Sequence, residues 1–158
     1  MNARKKLDDV AGEICKVVLP IKQEYYIGGG KQLSVCTLSS MGLLEEISRS
    51  KMMEKIAVAG RLLSENKGID TIIQFSLNHP DLKQIILCGK EVKGHKAGQA
   101  LLAVHENGID DSGRIIGAAG PYPILKSTKA QVDRFRRQVE ITNMIGVTDL
   151  DKILPLVS

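Results

Sequence analysis

The sequence predicts a single α/β domain of three layers, with a mainly parallel sheet covered by helices on both faces. Short apolar runs alternate along the chain with stretches whose apolar residues recur at helical spacing, and that alternation calls for parallel strands joined by crossover helices. Each apolar run ends in glycine or small polar residues, as strands do where they turn into helices across a sheet edge. The 158 residues are 43% hydrophobic and 25% charged, a globular balance large enough for one core.

Residues 4 to 18 place Leu7, Val10, Ala11, Ile14, Val17 and Val18 on one helical face, and Pro20 ends the stretch. This predicts an N-terminal amphipathic helix within 1–18, ahead of the α/β domain of 19–158. "Y-Y-I-G-G-G-K-Q" reads as a turn, and "L-S-V-C-T-L" (33 to 38) as a buried strand. Ser39 or Ser40 is placed to cap a helix carrying Leu43, Leu44 and Ile47. "K-I-A-V-A-G" (55 to 60) is a second strand, and Ile69, Ile72, Ile73 and Leu77 define the next helix, stopped near "N-H-P". The apolar run of 84 to 88 is a third strand. Ala97, Ala100, Leu101 and Val104 share a helical face that Asn107-Gly108 closes. "R-I-I-G-A" (114 to 118) is expected to be a further strand. Thr128 and Gln131 have capping-box spacing for a helix through Val132, Phe135 and Val139. A strand near "E-I-T-N-M-I" and a last helix after Thr148 complete the pattern.

Composition narrows the function. A net charge of +4 and a pI near 9.0 permit an anionic ligand. The absence of Trp, with two Phe and three Tyr in no stacking series, argues against single-stranded nucleic acid, and no nucleic-acid partner is expected. "R-F-R-R" (134 to 137) reads as a solvated helix face. No apolar run approaches the ~20 residues needed to cross a bilayer, and the start lacks the form of a secretion signal. The expectation is a cytoplasmic protein with no membrane insertion. Cys15, Cys36 and Cys88 lack metal-site spacing, and the last two lie in apolar runs as small hydrophobes.

In open parallel sheets a ligand lies outside the carboxyl ends of the strands. Strand exits here carry Thr37, Ser39, Ser40, Gly60, Gly117, Gly120 and Pro121, which are candidate pocket residues by position. The loop "E-V-K-G-H-K-A-G-Q" (91 to 99) directly follows the third strand. Its beginning looks like a phosphate-binding loop, yet Gly94-His95-Lys96 stands where such a loop needs Gly-Lys-Ser or Gly-Lys-Thr. His79 at a helix exit and His105 at a helix end read as structural. His95 stands on a glycine-flanked loop, and imidazole is a transition-metal ligand. No second ligand is spaced around it, which leaves a structural role open. A metal held by its own macrocycle needs only one protein ligand. Glu91 is a candidate partner for His95, and equally a solvated loop charge.

"E-V-K-G-H-K-A-G-Q", with "H-E-N-G" (105 to 108), "I-I-G-A-A-G-P-Y-P" (115 to 123), "S-E-N-K-G-I" (64 to 69) and "R-F-R-R-Q-V-E-I" through "M-I-G-V-T-D" (134 to 149), resembles the A-subunit family of tetrahydromethanopterin S-methyltransferase over roughly residues 19 to 150. The resemblance implies a Rossmann-like domain holding a cobamide whose cobalt carries a methyl group between a methylated pterin and coenzyme M. It puts the lower axial ligand on His95, with Gly94 and Gly98 admitting close approach and Gln99 orienting a polar cofactor edge. It implies two partners: one that works on a methyl-pterin or methyl-folate, and one that serves the acceptor. The sequence departs from the family's membrane-complex members in ending at "K-I-L-P-L-V-S" without a spanning helix, and the helix of residues 4 to 18 falls outside the likeness. It also differs from the widespread cobalamin module, Asp-x-His-x-x-Gly, in having no aspartate two residues before His95 to polarise the ring. Two other readings use the same loops: a binding module for a phosphate-bearing small molecule, and a scaffold paralogue without cofactor.

Overall fold

The computed structural model describes residues 24–157. The predicted helix of residues 4 to 18 and Cys15 lie outside the described residues. Five strands make one sheet: β1 (Tyr25–Ile27), β2 (Leu33–Cys36), β3 (Val58–Gly60), β4 (Gln84–Gly89) and β5 (Glu140–Ile145), in the order β1-β3-β2-β4-β5. Neighbours from β3 to β5 are parallel, and β1 lies antiparallel along the β3 edge. The α/β class with a mainly parallel sheet is therefore observed.

The helices are α1 (Met41–Ser48), α2 (Lys67–Asn78), α3 (Ala97–Asn107), α4 (Lys129–Gln138) and the short α5 (Leu150–Ile153). They divide between the two faces because side chains along a strand alternate. From β4, Ile85 and Leu87 join the core under α2, α3 and α4, where Ile69, Ile73, Leu101, Val104 and Phe135 are buried. Ile86 and Cys88 point the other way, onto Leu43, Leu44 and Ile47 of α1 and Ile153 of α5.

The chain runs from β2 to β3 on one side, then crosses to β4 and β5 on the other. The order reverses at β2, so the exits of β2 and β4 flank the point where such sheets hold ligands, with the exit of β3 beside it.

Three expectations need correction. "Y-Y-I" is an edge strand rather than a turn, with Tyr25 opposite Gly60 and Ile27 opposite Val58. The second strand is shorter than 55 to 60, because a 3-10 turn at Lys51–Glu54 takes up the approach and only Val58–Gly60 pairs. "R-I-I-G-A" does not enter the sheet: it makes isolated bridges, Ile109 with Ile115 and Arg114 with Ile124, between turns at Gly113 and Gly117 whose φ values are 87°. Ile115 is buried while Ile116 is exposed, so one apolar anchor sufficed to give this loop the look of a strand. The capping box at Thr128 is present as its spacing predicts, and Gly108 ends α3 at φ 74°.

Candidate functional site

His95 and Glu65 meet at the carboxyl edge of the sheet, one from the loop after β4 and the other from the loop after β3. His95 Nδ1 is 2.9 Å from Glu65 Oε2; the Glu65 side chain is 1% exposed and that of His95 55% exposed. A carboxylate this buried requires compensation. Glu65 Oε1 accepts the Tyr122 backbone N–H at 3.0 Å, and Oε2 takes the imidazole. Burial acts to raise the Glu65 pKa, but bonds from its own and the Tyr122 backbone N–H and from His95 outweigh it. They hold the carboxyl below its ordinary 4.5.

An ionised carboxylate only accepts, so the bond assigns the proton of a neutral ring to Nδ1 and leaves the Nε2 lone pair open to accept a bond. This is the arrangement in which a carboxylate fixes the tautomer and orientation of a metal-ligating histidine. The aspartate missing before His95 is thus replaced by a glutamate 30 residues away in sequence. Glu65 escaped the sequence reading because only the fold joins the two loops. Its signal was position: an acidic residue in "S-E-N-K-G", at the strand exit across β2 from His95.

Glu91 does something else. Its Oε1 accepts the N–H groups of Val92 at 2.8 Å and Gly98 at 2.9 Å, and its Oε2 accepts that of Gln99 at 2.8 Å. The carboxylate therefore occupies the α3 N-terminus, where Lys96 at the cap position makes no side-chain cap bond and has φ 48°. These N–H groups are the ones a phosphate would need. The chain supplies its own anion there, which removes the basis for the phosphate-loop likeness.

The remaining candidates fall into two groups. Around His95, Gly120 packs so closely that a β-carbon would collide with the His95 carbonyl and meet Glu65 Cγ at 3.1 Å. Gln99 Nε2 donates to Gly117 O at 2.8 Å and Gln99 Oε1 accepts from Ala119 N at 2.9 Å, so both ends of its amide pin the loop that carries Gly117, Gly120 and the exposed Pro121. Gly98 is buried against Glu91 and Leu38, while Gly94, at φ 81°, faces open space.

At the β2 exit, Ser39 Oγ donates to Lys90 O at 2.8 Å and Ser40 Oγ accepts from Lys90 N at 2.9 Å. Ser40 stands at the α1 cap position and its carbonyl accepts the Leu44 N–H, but its hydroxyl makes no cap bond because it meets Lys90 instead. Thr37 N donates to Gly60 O at 2.8 Å, which ties the exits of β2 and β3 together.

His79 Nδ1 bonds Phe75 O at 2.7 Å and stacks on the Phe75 ring, and His105 Nε2 donates to Val139 O at 2.7 Å. Both are structural, as expected. Arg134 and Arg137 are exposed, but Arg136 departs from a solvated face: it donates to the carbonyls of His105 and Glu106 and closes the α3 C-terminus. Cys36 and Cys88 are buried, and burial pushes each thiol up to about 12, as unreactive core groups.

Among the described residues no three His, Cys, Asp or Glu side chains gather into a metal-binding cluster. One carboxylate-held imidazole with a free Nε2 on a half-exposed loop fits a metal that brings its other ligands with it, as a corrin does. Among the same residues no helix is long and apolar enough to cross a membrane.

The profile of the A-subunit family of tetrahydromethanopterin S-methyltransferase matches residues 16–158. The A-subunit of a putative methyltransferase Mtx from Methanosarcina barkeri is 34% identical over 139 residues, covering 87% of this chain and 66% of the relative. The A-subunit of tetrahydromethanopterin S-methyltransferase from Methanocaldococcus jannaschii is 40% identical over 136 residues, covering 84% and 55%. Form 1 of the corresponding A-subunit from Methanothermobacter marburgensis is 36% identical over 136 residues, covering 85% and 56%. The chain thus spans between about half and two thirds of the length of these relatives.

Proposed function

The chain belongs to the A-subunit family of tetrahydromethanopterin S-methyltransferase, and from that premise we propose that it is a methyl-carrying corrinoid subunit with His95 as the lower axial ligand of the cobalt. The observation that carries the reading is the bond between His95 Nδ1 and the buried carboxylate of Glu65. One carboxylate oxygen anchors the Tyr122 N–H, and the other is left to orient the imidazole of a half-exposed histidine, which supports a ligand-holding role for that ring.

A bound cobamide supplies the cobalt on which a methyl group is received and passed on. The chain's own residues hold and tune that group. Glu65 keeps the proton on Nδ1 and aims Nε2 outward. Gly120 lets the 117–121 loop lie against the His95 backbone, and Gln99 fixes that loop to α3. Glu91 anchors the far end of the His95 loop to the start of α3. Donor and acceptor are then served by partner subunits: one acting on a methylated pterin or folate, the other on an acceptor such as coenzyme M.

Electron paramagnetic resonance of the chain loaded with Co(II) cobamide tests the ligand. Protein labelled with nitrogen-15 histidine should show its hyperfine coupling on cobalt, and His95→Ala should abolish it. A labelled wild-type sample with bound cobamide and no histidine nitrogen on cobalt refutes the assignment.

A further inference from the structure

Positive φ among the described residues falls on glycine, as at Gly94, with two exceptions: Leu38 at 52° and Lys96 at 48°. A side chain makes this left-handed conformation costly, because its β-carbon crowds the neighbouring carbonyl. Leu38 is compensated, since its side chain is fully buried in the core. Lys96 is not: it is exposed, and as the residue before α3 it makes no side-chain cap bond. A second local rule is broken at the same place. Lys96 puts a positive charge at the amino end of α3, where the helix dipole disfavours cations. A glycine would satisfy both rules. A residue that local structure disfavours twice, directly after His95, points to a partner for its ammonium group outside the fold.

The charges around His95 are sorted in the same sense. The Glu65 carboxylate is turned onto His95 and the Tyr122 N–H, and that of Glu91 onto the N–H groups of Val92, Gly98 and Gln99. Lys90, Lys93 and Lys96 are exposed. The outward side of the His95 loop is therefore cationic and suits an anionic group on whatever His95 holds. A cobamide has one such group, the phosphodiester of its nucleotide tail. That tail leaves the corrin from its lower face, the face an axial histidine approaches, so the phosphate comes to the side on which the His95 loop stands. The usual seat for a phosphate, the N–H groups that open α3, already holds the Glu91 carboxylate.

We propose that Lys96 binds the tail phosphate of the cobamide held by His95, and so makes the site selective for complete cobamides over corrinoids without the tail. The inference rests on the cobamide reading and adds to it a contact away from the cobalt. An exposed ion pair is weak, so Lys96 adds selectivity to the axial bond and does not retain a free phosphate by itself.

Titrations of the full chain with cobalamin and with cobinamide, which lacks both base and phosphate, test this through the visible spectrum. Lys96→Met should weaken cobalamin binding about fivefold, the upper end for an exposed ion pair, and leave cobinamide binding unchanged. Lys96→Arg keeps the charge and should keep the wild-type preference. Lys96→Gly should lose cobalamin affinity as Lys96→Met does. Its empty form should unfold at the wild-type temperature or above, because glycine relieves the left-handed backbone. Equal losses for the two corrinoids, or no loss for either, overturn the inference while His95 ligation stands. A lower Tm in the empty Lys96→Gly protein also overturns it, by assigning the side chain to the fold. If neither corrinoid binds the wild-type chain, the cobamide reading fails and this inference with it.

Discussion

Glu65 is where a single side chain decides most. In Glu65→Gln the amide still reaches His95 but no longer offers a charged acceptor, so the ring loses its fixed tautomer. Cobamide affinity should fall about 10–100-fold, the usual effect of removing a carboxylate behind a metal-ligating histidine; titration followed by the visible spectrum measures it. The same residue gives a pH signature. Its folded-state pKa lies below the ordinary 4.5, so the stability it contributes is present above 4.5 and is lost as pH falls through the lower folded value. The unfolding free energies of wild type and Glu65→Gln should therefore differ at neutral pH and converge in acid below 4.5. A constant gap down to the most acidic folded sample would show that the carboxylate is not held in its charged form. This partner could not be read along the chain, because a carboxylate 30 residues from its histidine carries no spacing signal. Glu91, open between a partner for His95 and a solvated loop charge, is neither: its carboxylate turns back onto the N–H groups of Val92, Gly98 and Gln99.

Among the elements, α3 depends on that turn. Lys96 gives its N-terminus no cap, and the Glu91 carboxylate takes over with bonds to Gly98 and Gln99. Glu91→Ala should cost about 1–2 kcal/mol in denaturant unfolding, the range for losing a helix cap bonded through a charged group. A cost near zero would mean that water replaces the carboxylate without loss. Legibility differed between elements for a related reason. The strands β2 and β4 and the helices α1 to α4 announced themselves because burial of their apolar residues forces a pattern on the sequence, while the edge strand β5 showed through its short β-branched run. β1 and the 114–118 loop carry no such constraint. β1 is a short edge strand exposed at Tyr25 and Ile27, so "Y-Y-I-G-G-G" shows only its turn chemistry. The 114–118 loop buries Ile115 alone as an anchor, and a short apolar run around one anchor imitates a strand.

The molecule as a whole assembles its site from segments that are remote in sequence. The loop after β3 carries Glu65, the loop after β4 carries His95, and Asn66 Nδ2 donates to Tyr122 O at 3.0 Å to tie the 117–123 loop to the first of these. A ligand seated there contacts elements that unfolding would separate, so it stabilises the entire domain by mass action. At a free cobamide concentration 100 times its Kd the gain is about 2.7 kcal/mol. For a chain of this size that raises Tm by roughly 5–10 °C. Thermal unfolding with increasing cobamide should show this rise, and His95→Ala should show a smaller one at the same concentrations because the axial bond is missing. A nucleoside monophosphate over the same range should leave Tm unchanged, since the Glu91 carboxylate already fills the helix N-terminus where its phosphate would bind. A shift with the nucleotide and none with cobamide would reverse the assignment of the site, making it a phosphate-binding module built on the same loops.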